Sequence, residues 1–146
     1  MPFEVETRNI HGRVTTVGSA GGHTLVIDRP AAAGGGGLGF NGGELLHLAV
    51  AGCISNDLFR EAAAAGLALE TVRVVVRGDF AGQPAVSTGI TYEVEVSGRA
   101  EAARLQALIE HVDAIAEIPG SLRRGTTVLL AAARVRALPE GAAPAP

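Results

Sequence analysis

Lysine is absent from this 146-residue chain, and all 12 of its basic side chains are arginine. That absence excludes a Gly-x-x-x-x-Gly-Lys phosphate loop, whose lysine reaches the nucleotide phosphates. Cysteine occurs once, at position 53, which excludes an internal disulfide and gives no pointer to an oxidising compartment. A strong charge of either sign is also missing. The formal net charge is −3, and no basic stripe is present to neutralise nucleic-acid phosphates. No apolar run approaches the ~20 residues that cross a bilayer. The opening Met1-Pro2-Phe3-Glu4-Val5-Glu6 alternates acidic and apolar residues, unlike a secretory leader. The expectation is a cytoplasmic protein with no nucleic-acid partner and no membrane partner.

What is present suits a folded core: 47% of residues are hydrophobic and 18% charged. The length predicts one domain over residues 1–138, followed by a loose tail over 139–146. Alternation predicts short strands over residues 3–7, 13–17 and 23–28, with turns over 9–12 and 18–22. Residues 29–43 hold seven glycines and read as a loop too flexible for regular structure. A helix is predicted over 43–65 with Gly66 as its stop. β-Branched residues predict strands over 71–80 and 90–96, joined by a loop over 81–89. A second helix is predicted over 101–114, where Leu105, Leu108, Ile109 and Val112 recur at helical spacing. Pro119 interrupts helical continuation, leaving 121–124 at most one further turn. A last strand is predicted over 126–135. The order βββ-α-ββ-α-β, with strands in blocks, argues for an α+β fold with a long central helix.

Two motifs are weighed and set aside. Gly37-Leu38-Gly39-Phe40-Asn41-Gly42 spells the dinucleotide pattern Gly-x-Gly-x-x-Gly. It does not follow a strand directly, however, and lacks an acidic residue ~20 positions on at the end of the next strand. Glu44-x-x-His47 is half of a di-iron carboxylate pattern, and the second helix supplies only the adjacent Glu110 and His111. No metal and no cofactor are expected. Glu44 also fits as a carboxylate near the positive end of a helix dipole, and His11 and His23 read as ordinary turn and strand residues.

Between Glu44 and Asp57 the first helix carries no Asp, Glu or Arg. A helix apolar all round has to be covered all round, which one small sheet does not achieve. A partner subunit is therefore expected. Cys53 lies in this stretch, and Leu46, Ala49, Val50, Asn56, Asp57, Arg60 and Ala64 share its face at 100° per residue. A free thiol near pKa 8.5 is only about 3% thiolate at neutral pH. A helix dipole acts only in the first turn, so activating Cys53 requires a neighbouring arginine. Arg60, Arg8, Arg13 or an arginine from a partner could serve, and Arg60 could instead be tied to Asp57.

The stretch Asn41-Gly42-Gly43-Glu44-Leu45-Leu46, then Leu48-Ala49-Val50-Ala51-Gly52-Cys53, resembles the central helix of the OsmC/Ohr family, whose pattern reads Pro-x-Glu-Leu-Leu, a few small residues, then cysteine. The entry Gly66-Leu67-x-Leu69-Glu70-x-Val72-x-Val74 fits as well. The resemblance implies an intertwined homodimer with two sites at the subunit interface. It further implies thiol-dependent reduction of organic hydroperoxides, with Cys53 as the attacking thiol. The family's second cysteine precedes a proline after the second long helix; here Ile118 precedes Pro119. The more active branch carries glutamate ten residues before the cysteine, where this chain has Gly43, and Ile10 or Arg8 falls near its arginine. The candidate catalytic set is accordingly Cys53, Glu44 and Arg13, with Leu46, Ala49, Val50, Asn56 and Ile118 as substrate-binding residues. The implied partners are a hydroperoxide and an external thiol reductant that takes the place of the second cysteine. The alternative is a non-catalytic member that binds an apolar small molecule in an interface pocket.

Overall fold

The computed structural model describes residues 2–126 and residue 131. The predicted last strand, apart from positions 126 and 131, and the tail over 139–146 lie outside the described residues. Residues 2–42 and 43–126 form two units, taken here in turn.

The first unit is an antiparallel meander of β1 (Glu6–Asn9), β2 (Thr16–Ala20) and β3 (His23–Ile27) in the order β1-β2-β3. Strands β1 and β2 lie about three residues later than the alternation predicts. The connection between them is closed by Ile10 N–H to Thr15 O at 2.9 Å and Arg13 N–H to Ile10 O at 2.9 Å. Strand β2 runs on to Ala20, which pairs with His23. The turn shrinks to Gly21-Gly22, whose φ of 54° and 85° give the left-handed pair of a two-residue hairpin.

The glycine-rich segment is not the featureless loop its composition suggests. It opens with a 3-10 turn over Ala31–Ala33 and is then drawn around the buried Asp28 carboxylate. Thr15 Oγ1 donates to Asp28 Oδ2 at 3.0 Å, and the N–H groups of Arg29, Gly36 and Leu38 donate to the same carboxylate at 2.7–3.2 Å. A side chain at Gly35 would put Cβ 2.0 Å from Arg29 O, and one at Gly39 would put it 2.3 Å from Val26 O. Close backbone approach, rather than phosphate binding, accounts for glycine at these two positions.

Burial alone would raise the Asp28 pKa, but the donors from Gly36, Leu38, Thr15 and Arg29 outweigh it and lower the value below 3.8. A carboxylate lowered in the folded state stabilises the fold above its unfolded pKa and loses that contribution as pH falls through its folded one. Asp28→Asn should therefore melt at a lower temperature than wild type at pH 7. The gap should close as pH drops below about 4, as read by thermal denaturation across that range.

The second unit is built on α1 (Gly42–Ala64), 23 residues long. It ends where Gly66 takes φ 66° and Leu67 N–H reaches back to Ala62 O at 2.8 Å, a left-handed glycine stop. Strands β4 (Leu69–Ala81) and β5 (Val86–Gly98) follow as a two-stranded antiparallel hairpin. The connection is four residues, not the nine predicted. The distal ends pair through a bulge at Asp79/Phe80, with Thr88 Oγ1 on Asp79 O at 3.1 Å. Those ends are exposed on both sides, so no alternation of apolar residues marks them as strand.

Along the rest of the hairpin the alternation is regular. Val72, Val74, Tyr92, Val94 and Val96 pack against the core, while Arg73–Glu95 and Arg77–Glu93 pair on the outer face at 2.7 and 2.8 Å. Such exposed pairs add at most about 1 kcal/mol each. Helices α2 (Ala102–Ile115) and α3 (Glu117–Arg123) complete the unit. Pro119 does not prevent α3, because it occupies the first turn, where backbone N–H groups have no intrahelical acceptor. The core joins Ile54, Leu58 and Ala62 of α1 to Leu67, Leu108, Val112 and Ala116. Within one chain α1 is not covered all round: Leu48 remains 47% exposed and Phe59 50%. No described helix is long and apolar enough to cross a membrane.

Candidate functional site

Cys53 sits half-buried in the middle of α1, against the rim of the core. Helical spacing brings Asp57, four residues on, under its sulfur. Among the described residues the hydrogen-bond partner of Sγ is Asp57 Oδ2 at 3.8 Å, with the thiol donating. The Asp57 side chain is 7% exposed, and its other oxygen, Oδ1, is held by Arg60 at 2.6 Å. Arg60 is held a second time by Glu61 at 2.8 Å, and the other Glu61 oxygen, Oε2, lies 3.2 Å from His111 Nε2 on α2. A chain of polar groups thus runs from the thiol to the α1–α2 groove. The Arg60 hydrogen bond and then that of His111 lower the Glu61 pKa, while Glu61 first and Asp57 after it hold Arg60 more firmly as the cation. Of the alternatives open for Arg60, attachment to Asp57 is the one observed.

The predicted residues separate into groups. Leu46 and Val50 line a cavity of about 370 Å³ whose other walls include Ile90, Tyr92, Pro119 and Leu122. Ala49 and Asn56 are exposed on α1, and Ile118 is exposed on α3 beside the buried Pro119. Glu44 lies nine residues before Cys53, about 13 Å along the axis and half a turn round it. It borders a different recess, with His47, Gly78, Asp79 and Phe80. Arg13 is exposed in the β1–β2 connection of the first unit. The second unit by itself therefore brings Leu46 and Val50 to one cavity but does not bring Glu44 to the thiol.

His47 is a packing residue. Its Nδ1 lies 2.6 Å from Gly43 O, its ring meets Phe80 edge-on, and a Cβ at Gly78 would fall 2.3 Å from its Nε2. No group of three metal-ligating side chains occurs among the described residues.

One polar cluster escapes the sequence reading. Tyr92 donates its hydroxyl to Asp113, which also accepts from Arg123 at 2.6 Å. Burial and then the Asp113 carboxylate push the Tyr92 pKa up to about 12. Tyr92 and Arg123 both line the cavity, giving an apolar chamber one polar wall. The available signal was strand parity: Tyr92, the only tyrosine, falls in register with Val94 and Val96.

Comparison with known proteins agrees with this architecture. The family description "OsmC-like protein" matches residues 34–131. No curated protein sequence matches the chain. Among solved structures, an OsmC-like protein from Mycoplasma pneumoniae superposes with a TM-score of 0.73 at 14% identity, covering 86% of this chain and 89% of its own. An organic hydroperoxide resistance protein OsmC from Legionella pneumophila gives 0.65 at 17% identity, covering 84% and 90%. The organic hydroperoxide resistance protein OhrB of Bacillus subtilis gives 0.58 at 19%, covering 86% and 93%. At these identities the likeness is one of fold.

Proposed function

Because this chain belongs to the OsmC-like family, we propose that it is a one-cysteine thiol peroxidase that reduces organic hydroperoxides through Cys53. The observation that carries the reading is the placement of the only cysteine: half-buried at mid-helix on α1, with its sulfur next to a polar chain. The organic hydroperoxide resistance proteins of Legionella pneumophila and Bacillus subtilis share the fold.

In the proposed cycle the Cys53 sulfur attacks the distal peroxide oxygen. An S–O bond forms, the O–O bond breaks, and the alkoxide leaves as an alcohol after taking up the thiol proton. Cys53 is oxidised to a sulfenic acid and the peroxide is reduced. With no second cysteine in the chain, an external thiol condenses with the sulfenic acid, releasing water and forming a mixed disulfide. A second external thiol then frees Cys53 and leaves as the disulfide. The test is consumption of cumene hydroperoxide by purified protein with and without dithiothreitol. Sustained turnover is expected only with the dithiol, and no consumption in either condition removes the reading.

A second copy of the chain belongs to this proposal. Glu44 faces away from Cys53 on the same helix, and the Leu48 and Phe59 side chains are left half exposed. A homodimer supplies cover for α1 and allows an arginine and a glutamate to arrive from the partner. Light scattering at micromolar concentration should give twice the 14.8 kDa chain mass; a monodisperse monomer would contradict it. The second reading, an apolar ligand bound without chemistry, is favoured by the cavity against Leu46 and Val50.

A further inference from the structure

We infer that Asp57 is a positioning residue for the Cys53 sulfur, and that the Asp57–Arg60 pair sets how readily the sulfur reacts. This inference rests on the reading of Cys53 as the reacting group and concerns the regulation of that site.

The geometry leads to it in three steps. The hydrogen-bond partner of the sulfur is a carboxylate, which accepts the thiol proton at 3.8 Å from sulfur to oxygen. Removing that proton sets two negative charges next to one another, and with the Asp57 side chain only 7% exposed water screens them weakly. Arg60 is the nearby cation, but it does not rest on the sulfur. It is fixed at both ends, on Asp57 at 2.6 Å and on Glu61 at 2.8 Å, with His111 of α2 on the far oxygen of Glu61. Glu117 of α3 adds a further negative charge that acts on Arg60. Arg60 therefore partly offsets the Asp57 charge without contacting the sulfur itself.

The two substitutions then have opposite signs. Neutralising Asp57 removes the charge that opposes thiolate formation, while Arg60 stays held by Glu61. Neutralising Arg60 leaves the carboxylate uncompensated beside the thiol. A role confined to packing predicts neither the opposition nor any dependence on the charge of the attacking reagent.

The experiment is the second-order rate of Cys53 alkylation at pH 7 in the full chain, with neutral iodoacetamide and anionic iodoacetate. Asp57→Asn should react several-fold faster than wild type with iodoacetamide, because the carboxylate that opposes negative charge on the sulfur is gone. The gain with iodoacetate should be larger still, because the repelling carboxylate is gone. Arg60→Gln should react several-fold more slowly with either reagent, and slowest with iodoacetate. Arg60 is a surface side chain, 57% exposed, so its replacement keeps the inference testable if Asp57→Asn does not fold. A rate for Asp57→Asn equal to or below wild type overturns the inference, as does a rate for Arg60→Gln that is not reduced. Alkylation needs no hydroperoxide, so the outcome stands apart from that of the turnover assay.

Discussion

Cys53→Ser is expected to bring hydroperoxide consumption down to the background rate of the reductant alone. Peroxide reduction by a side chain needs a soft nucleophile that can carry an oxygen atom and surrender it again, which sulfur does and a hydroxyl does not. The chain holds no other cysteine, so no second thiol can sustain a slower cycle. The substitution is nearly isosteric, and a serine hydroxyl can still donate to Asp57 as the thiol does. The folded state should therefore survive, with loss of activity alone. Residual consumption above background in the serine variant would place the chemistry elsewhere.

The largest effect on stability is expected at Leu58. Its side chain is fully buried, at 0% exposure, in the cluster where α1 meets Leu67, Leu108 and Val112. Leu58→Ala removes three carbon atoms from a packed interior and should cost about 2–5 kcal/mol, the spread reflecting how far the surroundings close the cavity. Leu48→Ala supplies the comparison. On one chain alone Leu48 is 47% exposed, and its loss should cost no more than about 0.5 kcal/mol. If a second copy covers α1, as proposed, Leu48→Ala should cost more than that and weaken dimerisation as well. Urea denaturation of both variants, repeated at two protein concentrations, separates the cases.

How much the sequence reveals varies with how much each segment buries. The apolar stripe of α2 is legible because one-sided burial imposes a period on the sequence, and the long helix is legible from its uninterrupted apolar run and its glycine stop at Gly66. The distal half of the β4–β5 hairpin is not: Phe80, Val86, Ser87 and Thr88 are exposed, and backbone pairing there needs no apolar alternation. The shifts of β1 and β2 have the same origin, since all four residues of β1 are exposed. Glycines 35 and 39 look like flexibility in the sequence. In the fold they mark where backbone meets backbone around Asp28, a constraint visible only once β3 and the loop are placed together.

At the site, helical spacing alone puts Asp57 on the face of Cys53, and sequence composition makes Cys53 the one thiol to consider. Spacing does not reveal which way the Arg60 charge is spent. That depends on Glu61 and on His111, which lies 50 positions further along. The cluster of Tyr92, Asp113 and Arg123 is invisible for the same reason, because its members come from three different elements.

The most direct test of the central claim is the intact mass of the protein after one equivalent of cumene hydroperoxide, with no reductant present. The account predicts the gain of a single oxygen atom, localised to Cys53 by dimedone labelling and reversed by a small thiol. An unmodified protein with its peroxide unspent, while Cys53 still alkylates normally, would contradict it and leave the α1 cavity as a binding site without peroxide chemistry.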